Sequence, residues 1–329
     1  MPNLNVRLYT PSEKQKWDKF VLKESVNGTV LQSKRFLDYH RERFHDCSLI
    51  LEKGTTMVGV VPACLIEQDG KRIFSSHKGS TFGGIVIGKP FYNIENVEAI
   101  MDALEAYFVE QNYDEVWIKC TSDIFAYENS NLLQYYLFQR GFFSFDEMSC
   151  YVDFQEYKEE IITNFSSGRR RDYNYSLKAG LTFRRICSDA EIKEFYDILC
   201  ANLVKHHAKP VHSYEELLWF RVEILSEEAE FYGVFQEQQM IAGSMVFNFN
   251  NLTLHTQYLA ADQTMLKCYP MNYLNASLIT LARERGFRYM SFGTSNEDNG
   301  KVLNKSLAQF KEGFGTKYGL NRTFIKRYS

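Results

Sequence analysis

Lys311 stands in the stretch LAQFKEGFGTKYG, Leu307 to Gly319, where it and the glycines behind it interrupt an otherwise amphipathic helix. Such a lysine either solvates a helix face, as most lysines do, or holds something charged. If it holds an anion, Phe310 and Phe314 should pack behind it, and the glycines should let the backbone pass close to the ligand. Arg169, Arg170 and Arg171 are three guanidiniums in a row. Consecutive helix positions diverge by about 100°, so one or two of them can grip a phosphate bidentately; a solvated helix end is the alternative. His206 and His207 follow Lys205 at a helix end ahead of Pro210, where the helix dipole favours histidine in any case. Of the two, His207 is the candidate base or acceptor contact. His255 and Tyr258 lie three apart in the strand LTLHTQYLAAD, so alternation sends them to opposite faces and at most one meets a ligand. KGSTFGG, Lys78 to Gly84, could nest an anion or simply turn between strands. Asn296 to Gly300 is a polar loop after a strand end, a place where ligands bind in α/β sheets. The seven Cys and seven His form no CxxC, no metal-ligand spacing and no Cys-His signature, so no metal is expected.

These residues need elements to hold them. At 329 residues the chain has room for about two domains, each able to bury a core. Its 45% hydrophobic and 24% charged residues are ordinary for a globular protein, and 26 Phe and 21 Tyr predict a ring-rich core. A net charge of −3 gives no bulk positive field, so any polyanion site must be local. The start MPNLNVRLYTPSEKQKW lacks the apolar core of a signal peptide, and no apolar run reaches the roughly 18 residues of a membrane span. A cytoplasmic protein with reduced thiols is the expectation.

The chain repeats itself weakly. SLILEKGTTMVGVVPACLIEQDGKRIFSS reads as three strands turning at Gly54 and Asp69-Gly70. FYGVFQEQQMIAGSMVFNFNNLTLHTQYLA has the same outline, turning near Gln238 and Asn250-Asn251. A helix and a buried strand follow in both, with stripes at Ile100, Leu104 and Phe108, and at Leu274, Leu278 and Leu281. A second helix, an aromatic glycine turn and a last strand then close each half. The order predicts an α/β fold of mixed α+β sheets with helices on their faces, in two domains, 1–160 and 161–329, with a ligand cleft between them. Ser166-Ser167-Gly168 is the best local breaker near that boundary.

With that order in hand, three segments resemble the GNAT acyltransferases, and the duplication resembles their Fem-type (FemAB-like) branch of bacterial proteins. They are GRRRDYNYSLKAGLTFRRI (Gly168–Ile186), FYDILCANLVKHHAKPVHSYEELLWF (Phe195–Phe220) and ARERGFRYMSFGTSNEDNGKVLNKSLAQFKEGFG (Ala282–Gly315). The resemblance implies two tandem GNAT-like domains and acyl transfer to an amine, from acetyl-CoA or another acyl-CoA, or from aminoacyl-tRNA. It implies that Lys311 lies near the donor phosphate or the developing oxyanion, and that Tyr258 is the aromatic residue of the family's strand. Lys311, Tyr258 and His207 are thus the catalytic candidates; Arg169, Arg170, Lys267 and Asn299 are the donor-binding ones. One departure stands out. Ordinary GNAT enzymes bind the CoA pyrophosphate on backbone N–H groups of a glycine-rich loop at a helix start. The matching stretch here, AADQTMLKCYPMNYL, Ala260 to Leu274, has no glycine. The expectation is an N-acyltransferase, with an amino group on a cell-wall or surface-polysaccharide precursor as acceptor. An aminoacyl-tRNA-dependent transferase and an inactive GNAT-fold binding protein are the alternatives; oligomeric state stays open.

Overall fold

The computed structural model describes residues 4–204 and 208–328. The chain divides into two compact units, Met1–Glu147 with Leu320–Ser329, and Met148–Gly319.

The first unit holds β1 (Leu4–Leu8), β2 (His45–Asp46), β3 (Leu49–Lys53), β4 (Thr56–Val61), β5 (Cys64–Gln68), β6 (Lys71–Ser76), β7 (Val86–Ile87) and β8 (Glu115–Lys119). Its helices are α1 (Lys14–Lys19), α2 (Lys34–Leu37), α3 (Ile94–Glu110) and α4 (Asn131–Gln139). One run of strands is ordered β1-β3-β4-β7, another β8-β6-β5-β2. The hairpins turn where the sequence places glycine and aspartate: Gly54, Asp69 and Gly70 all have positive φ. α3 buries Ile100, Leu104 and Phe108 at the expected helical spacing. It also supplies the crossover that makes β6 and β8 parallel.

The second unit begins within β9 (Phe143–Asp153) and continues through β10 (Leu181–Ile186), β11 (Ala229–Gln236), β12 (Gln239–Phe249), β13 (Thr253–Ala261), β14 (Tyr289–Thr294), β15 (Asn296–Glu297) and β16 (Val302–Leu303). Its helices are α5 (Ser167–Lys178), α6 (Asp189–Val204), α7 (Tyr214–Trp219), α8 (Pro270–Glu284) and α9 (Lys305–Glu312). The strand order is β10-β11-β12-β13-β14-β9. β10 to β13 are antiparallel neighbours, and α8 carries the chain across to a parallel β14. The core of this unit packs α8, through Leu274, Leu278 and Ile279, on Val234, Ala242, Val246 and Leu254 of the sheet. Ser166, part of the expected breaker, is the cap of α5 and accepts the Arg169 amide.

The closing strands depart from the expected pattern. Ser149–Asp153 of β9 pair with β14 inside the second unit. Thr323–Arg327 of β17 (Lys317–Arg327) pair with β8 inside the first. Each strand has an ordinary alternating pattern, and alternation specifies a face, not a partner.

Candidate active site

The parallel ladder between β13 and β14 consists of Thr253–Tyr289, Leu254–Met290 and His255–Ser291. β13 runs on to Ala261 and β14 to Thr294, so the two strands part beyond His255 and leave a fork. Both arms are irregular. On β13, Tyr258 pairs with Met245 and Thr256 with Val246, which leaves Gln257 as the extra residue of a bulge. On β14, Gly293 adopts φ +68°, a left-handed conformation that glycine takes without steric cost. A Cβ there would lie 3.4 Å from His255 Cε1.

The bulge corrects the expectation that His255 and Tyr258 face opposite ways. Their partners on β12 are Phe247 and Met245, two residues apart and therefore on one face. Directly paired residues share a face, so His255 and Tyr258 do too.

Lys311 reaches the other arm. Asn304 caps α9 by accepting the Leu307 amide, and Phe310 packs edge to face on Phe314, just beyond the helix. The Tyr157 hydroxyl donates to Phe314 O at 2.6 Å and anchors the turn after the helix. Lys311 is only 5% exposed. Its Nζ donates to Thr294 O at 2.6 Å and Gly293 O at 3.3 Å, at the end of β14. This is no solvated helix face. Burial pushes the ammonium down to about 8. Such a group can serve as a cation, and it can give up its proton near neutral pH.

His255, at the apex, is buried and accepts or donates at Ser291 Oγ, 3.1 Å away. Burial, then the charge of Lys311, holds its imidazole down to about 4, so it is neutral at pH 7. On the β13 arm, Tyr258 Oη lies 2.7 Å from His212 Nδ1. Burial pushes the phenol up to about 12, against the backbone amides of His212 and Val211, which favour the phenolate. Tyr258 is therefore a proton donor at neutral pH. His212 packs edge to face on Phe220 and is a contact that sequence reasoning passed over. The signal was there: it directly precedes the capping box Ser213–Glu216 that starts α7, which holds the loop in place.

The remaining candidates scatter. His207 lies outside the described residues. Arg169 donates to Asn272 Oδ1 at 2.9 Å near the start of α8, and its guanidinium stacks 4.3 Å over Phe310. Gly313 makes room for it: a Cβ there would sit 2.5 Å from Arg169 Cγ. Gly315, at φ +75°, likewise passes close to Asn164 O. These glycines serve packing against protein, where a ligand was expected. Arg170 donates to Phe165 O at 3.3 Å, Lys267 is exposed on the 3-10 turn Gln263–Cys268, and Asn299 occupies the positive-φ turn between β15 and β16.

Several amides of the glycine-free loop are engaged within the loop itself. Asp262 takes the Thr264 amide on its side chain and the Met265 amide on its carbonyl. The Tyr269 amide goes to Leu266 O, and Pro270 has no N–H to give. Residues arranged this way do not fit a CoA pyrophosphate in the usual GNAT manner. Among the described residues there is no group of His, Cys, Asp and Glu that could hold a metal ion, and no helix long and apolar enough to cross a membrane.

Residues 166–302 match the acetyltransferase (GNAT) domain family. The whole chain superposes on FemX with a TM-score of 0.72, at 14% identity, covering 98% of this chain and 97% of that one. The second unit thus matches the GNAT domain family, within a chain that has a Fem-type tandem fold. The fold is also similar to that of the C-terminal domain of a putative lysylphosphatidylglycerol synthetase from Agrobacterium fabrum, with a TM-score of 0.60, 12% identity and coverage of 96% and 92%. A tandem GNAT protein from the clavulanic acid biosynthesis pathway gives a TM-score of 0.52, 9% identity and coverage of 99% and 98%. No curated protein matches the chain in sequence. At these identities the structural likeness is one of fold; what the protein acts on must be argued from its site.

Proposed function

We propose that this protein transfers an acyl or aminoacyl group to an amino group on a cell-wall or surface-polysaccharide precursor, in the cytoplasm. The observation that carries this reading is the fork itself, with a buried lysine on one arm and a protonated tyrosine on the other. A neutral amine attacks the donor carbonyl and a C–N bond forms. Lys311 stabilises the tetrahedral oxyanion, an interaction stronger in the transition state than before it. Tyr258 gives its proton to the leaving group and recovers one from the new amide nitrogen. His207 is assigned to the acceptor, and Arg169, Arg170, Lys267 and Asn299 to the donor.

The glycine-free donor loop favours aminoacyl-tRNA over CoA, because a tRNA is gripped by surface cations and not by a buried amide nest. The test offers purified protein acetyl-CoA or a mixture of aminoacyl-tRNAs, with amino-bearing nucleotide-sugar precursors as acceptors, and follows acceptor mass. A mass increase from either donor is expected. Tight binding of these compounds with no transfer would make the protein an inactive ligand-binding member of the fold.

A further inference from the structure

The fork contains a hydrogen-bond chain that the proposed chemistry does not use. His255 Nδ1 lies 3.1 Å from Ser291 Oγ. The Gly293 amide donates to that same Oγ at 3.2 Å, and Gly293 O accepts from Lys311 Nζ. Ser291 is fixed from a second side, since Thr256 Oγ1 donates to its carbonyl at 3.1 Å. Every link is buried or half-buried in strands that meet at the apex.

Gly293 is the pivot. Its N–H is held from the His255 side and its C=O presents itself to Lys311. The left-handed φ of +68° sets the angle between the two. A hydroxyl that accepts an amide still has its own proton to place. In a site this buried an unplaced donor is costly, and the neutral His255 ring offers Nδ1 as the acceptor. The imidazole is also hydrogen-bonded by the side chain of Gln257, the extra residue of the bulge. The titratable and charged groups bearing on this centre are His255 itself, Lys311, Cys150 and Glu312. A second positive charge at His255 would face Lys311 directly, so the chain works only with the ring neutral.

We propose that His255 is a positioning residue for Lys311: through the Ser291 hydroxyl it fixes Gly293, and so fixes the carbonyl that aims the Lys311 amine into the fork. The inference rests on Lys311 being the working group of the transferase, but its test does not need turnover. The amine of Lys311 can be followed by 15N NMR against pH in lysine-labelled protein, with Lys311→Met to assign the resonance. His255→Leu keeps the site apolar and removes the acceptor for Ser291. Gly293 is then released, Lys311 loses part of its carbonyl support, and the charged form is less favoured. Its titration midpoint should fall by at least about half a pH unit, roughly a threefold rise in free amine at pH 7. His255→Asn, whose Oδ1 can take the Ser291 proton, should stay near wild type. Ser291→Ala removes the link with little change of volume and should reproduce the leucine variant, including where that variant folds poorly. An unmoved midpoint in Ser291→Ala, or equal shifts in the asparagine and leucine variants, would overturn the proposal. A shifted midpoint with no acyl transfer by wild type keeps the positioning role and sinks the transfer reading.

Discussion

A lysine with no carboxylate at hand is expensive to bury. Lys311 has two carbonyls in place of a counter-ion, and its depressed pKa measures what that substitution fails to recover. Lys311→Met should therefore fold. Relief of a desolvated charge offsets two orphaned carbonyls, each worth about 1–3 kcal/mol, and the net change in urea unfolding should stay within about 2 kcal/mol. Transfer should suffer far more, by about 2–4 kcal/mol of transition-state stabilisation, a hundredfold or greater loss in kcat. Steady-state kinetics on folded mutant protein checks it; near-normal kcat would return Lys311 to a structural role. The sequence singled out this lysine because of its setting between Phe310 and Phe314. It gave no sign that the partners would be the carbonyls of residues 17 and 18 positions earlier.

Elements show where pattern reading succeeds and where it fails. On α8, Leu274 and Leu278 are buried as expected, but Leu281 is only half-buried and Ile279 and Ala282 take the inner face. The stripe of α3 and the turns at Gly54, Asp69-Gly70 and Asn250-Asn251 follow from residue type alone. The bulge at Gln257 does not: LTLHTQYLAAD contains no glycine or proline to mark it, yet one extra residue puts His255 and Tyr258 on the same face. The donor loop lies between these cases. Its lack of glycine is plain in the sequence, and the structure adds that the Thr264, Met265 and Tyr269 amides are already engaged. Acetyl-CoA should consequently bind weakly. Isothermal titration should show a Kd well above about 1 μM, a binding free energy short of about −8 kcal/mol. Micromolar binding with the pyrophosphate on those amides would mean the loop reopens.

For the whole molecule, two buried neutral histidines set the acid limit, one in each unit. His77 is held down to about 3 by burial and then by His40, and His255 to about 4. Both folded values lie below the ordinary 6.5, so the unfolded chain binds more protons and stability is lost as pH falls from about 6.5 toward 4. For His255 that loss is about 3 kcal/mol. Lys311, depressed from above, adds stability as pH rises from about 8 toward 10.5. Urea midpoints at pH 7, 5.5 and 4.5 should fall in turn, and His255→Leu should flatten part of the slope; a flat wild-type profile would contradict the assignment. The exchanged last strand makes a separate prediction. Deleting Leu320–Ser329 removes one of the two partners described for β8, so amide-exchange protection should drop in β8 and β6 of the first unit and persist in β11 to β13. By itself the sequence determined the local elements, the repeated order and the chemistry available at Lys311, Tyr258 and the arginines, because periodicity and residue type act over a few neighbours. Which unit each closing strand completes, how a bulge reverses a face, and why a lysine can be buried on carbonyls were decided only in three dimensions. Those outcomes depend on pairings between residues far apart in the chain, and no local pattern encodes them.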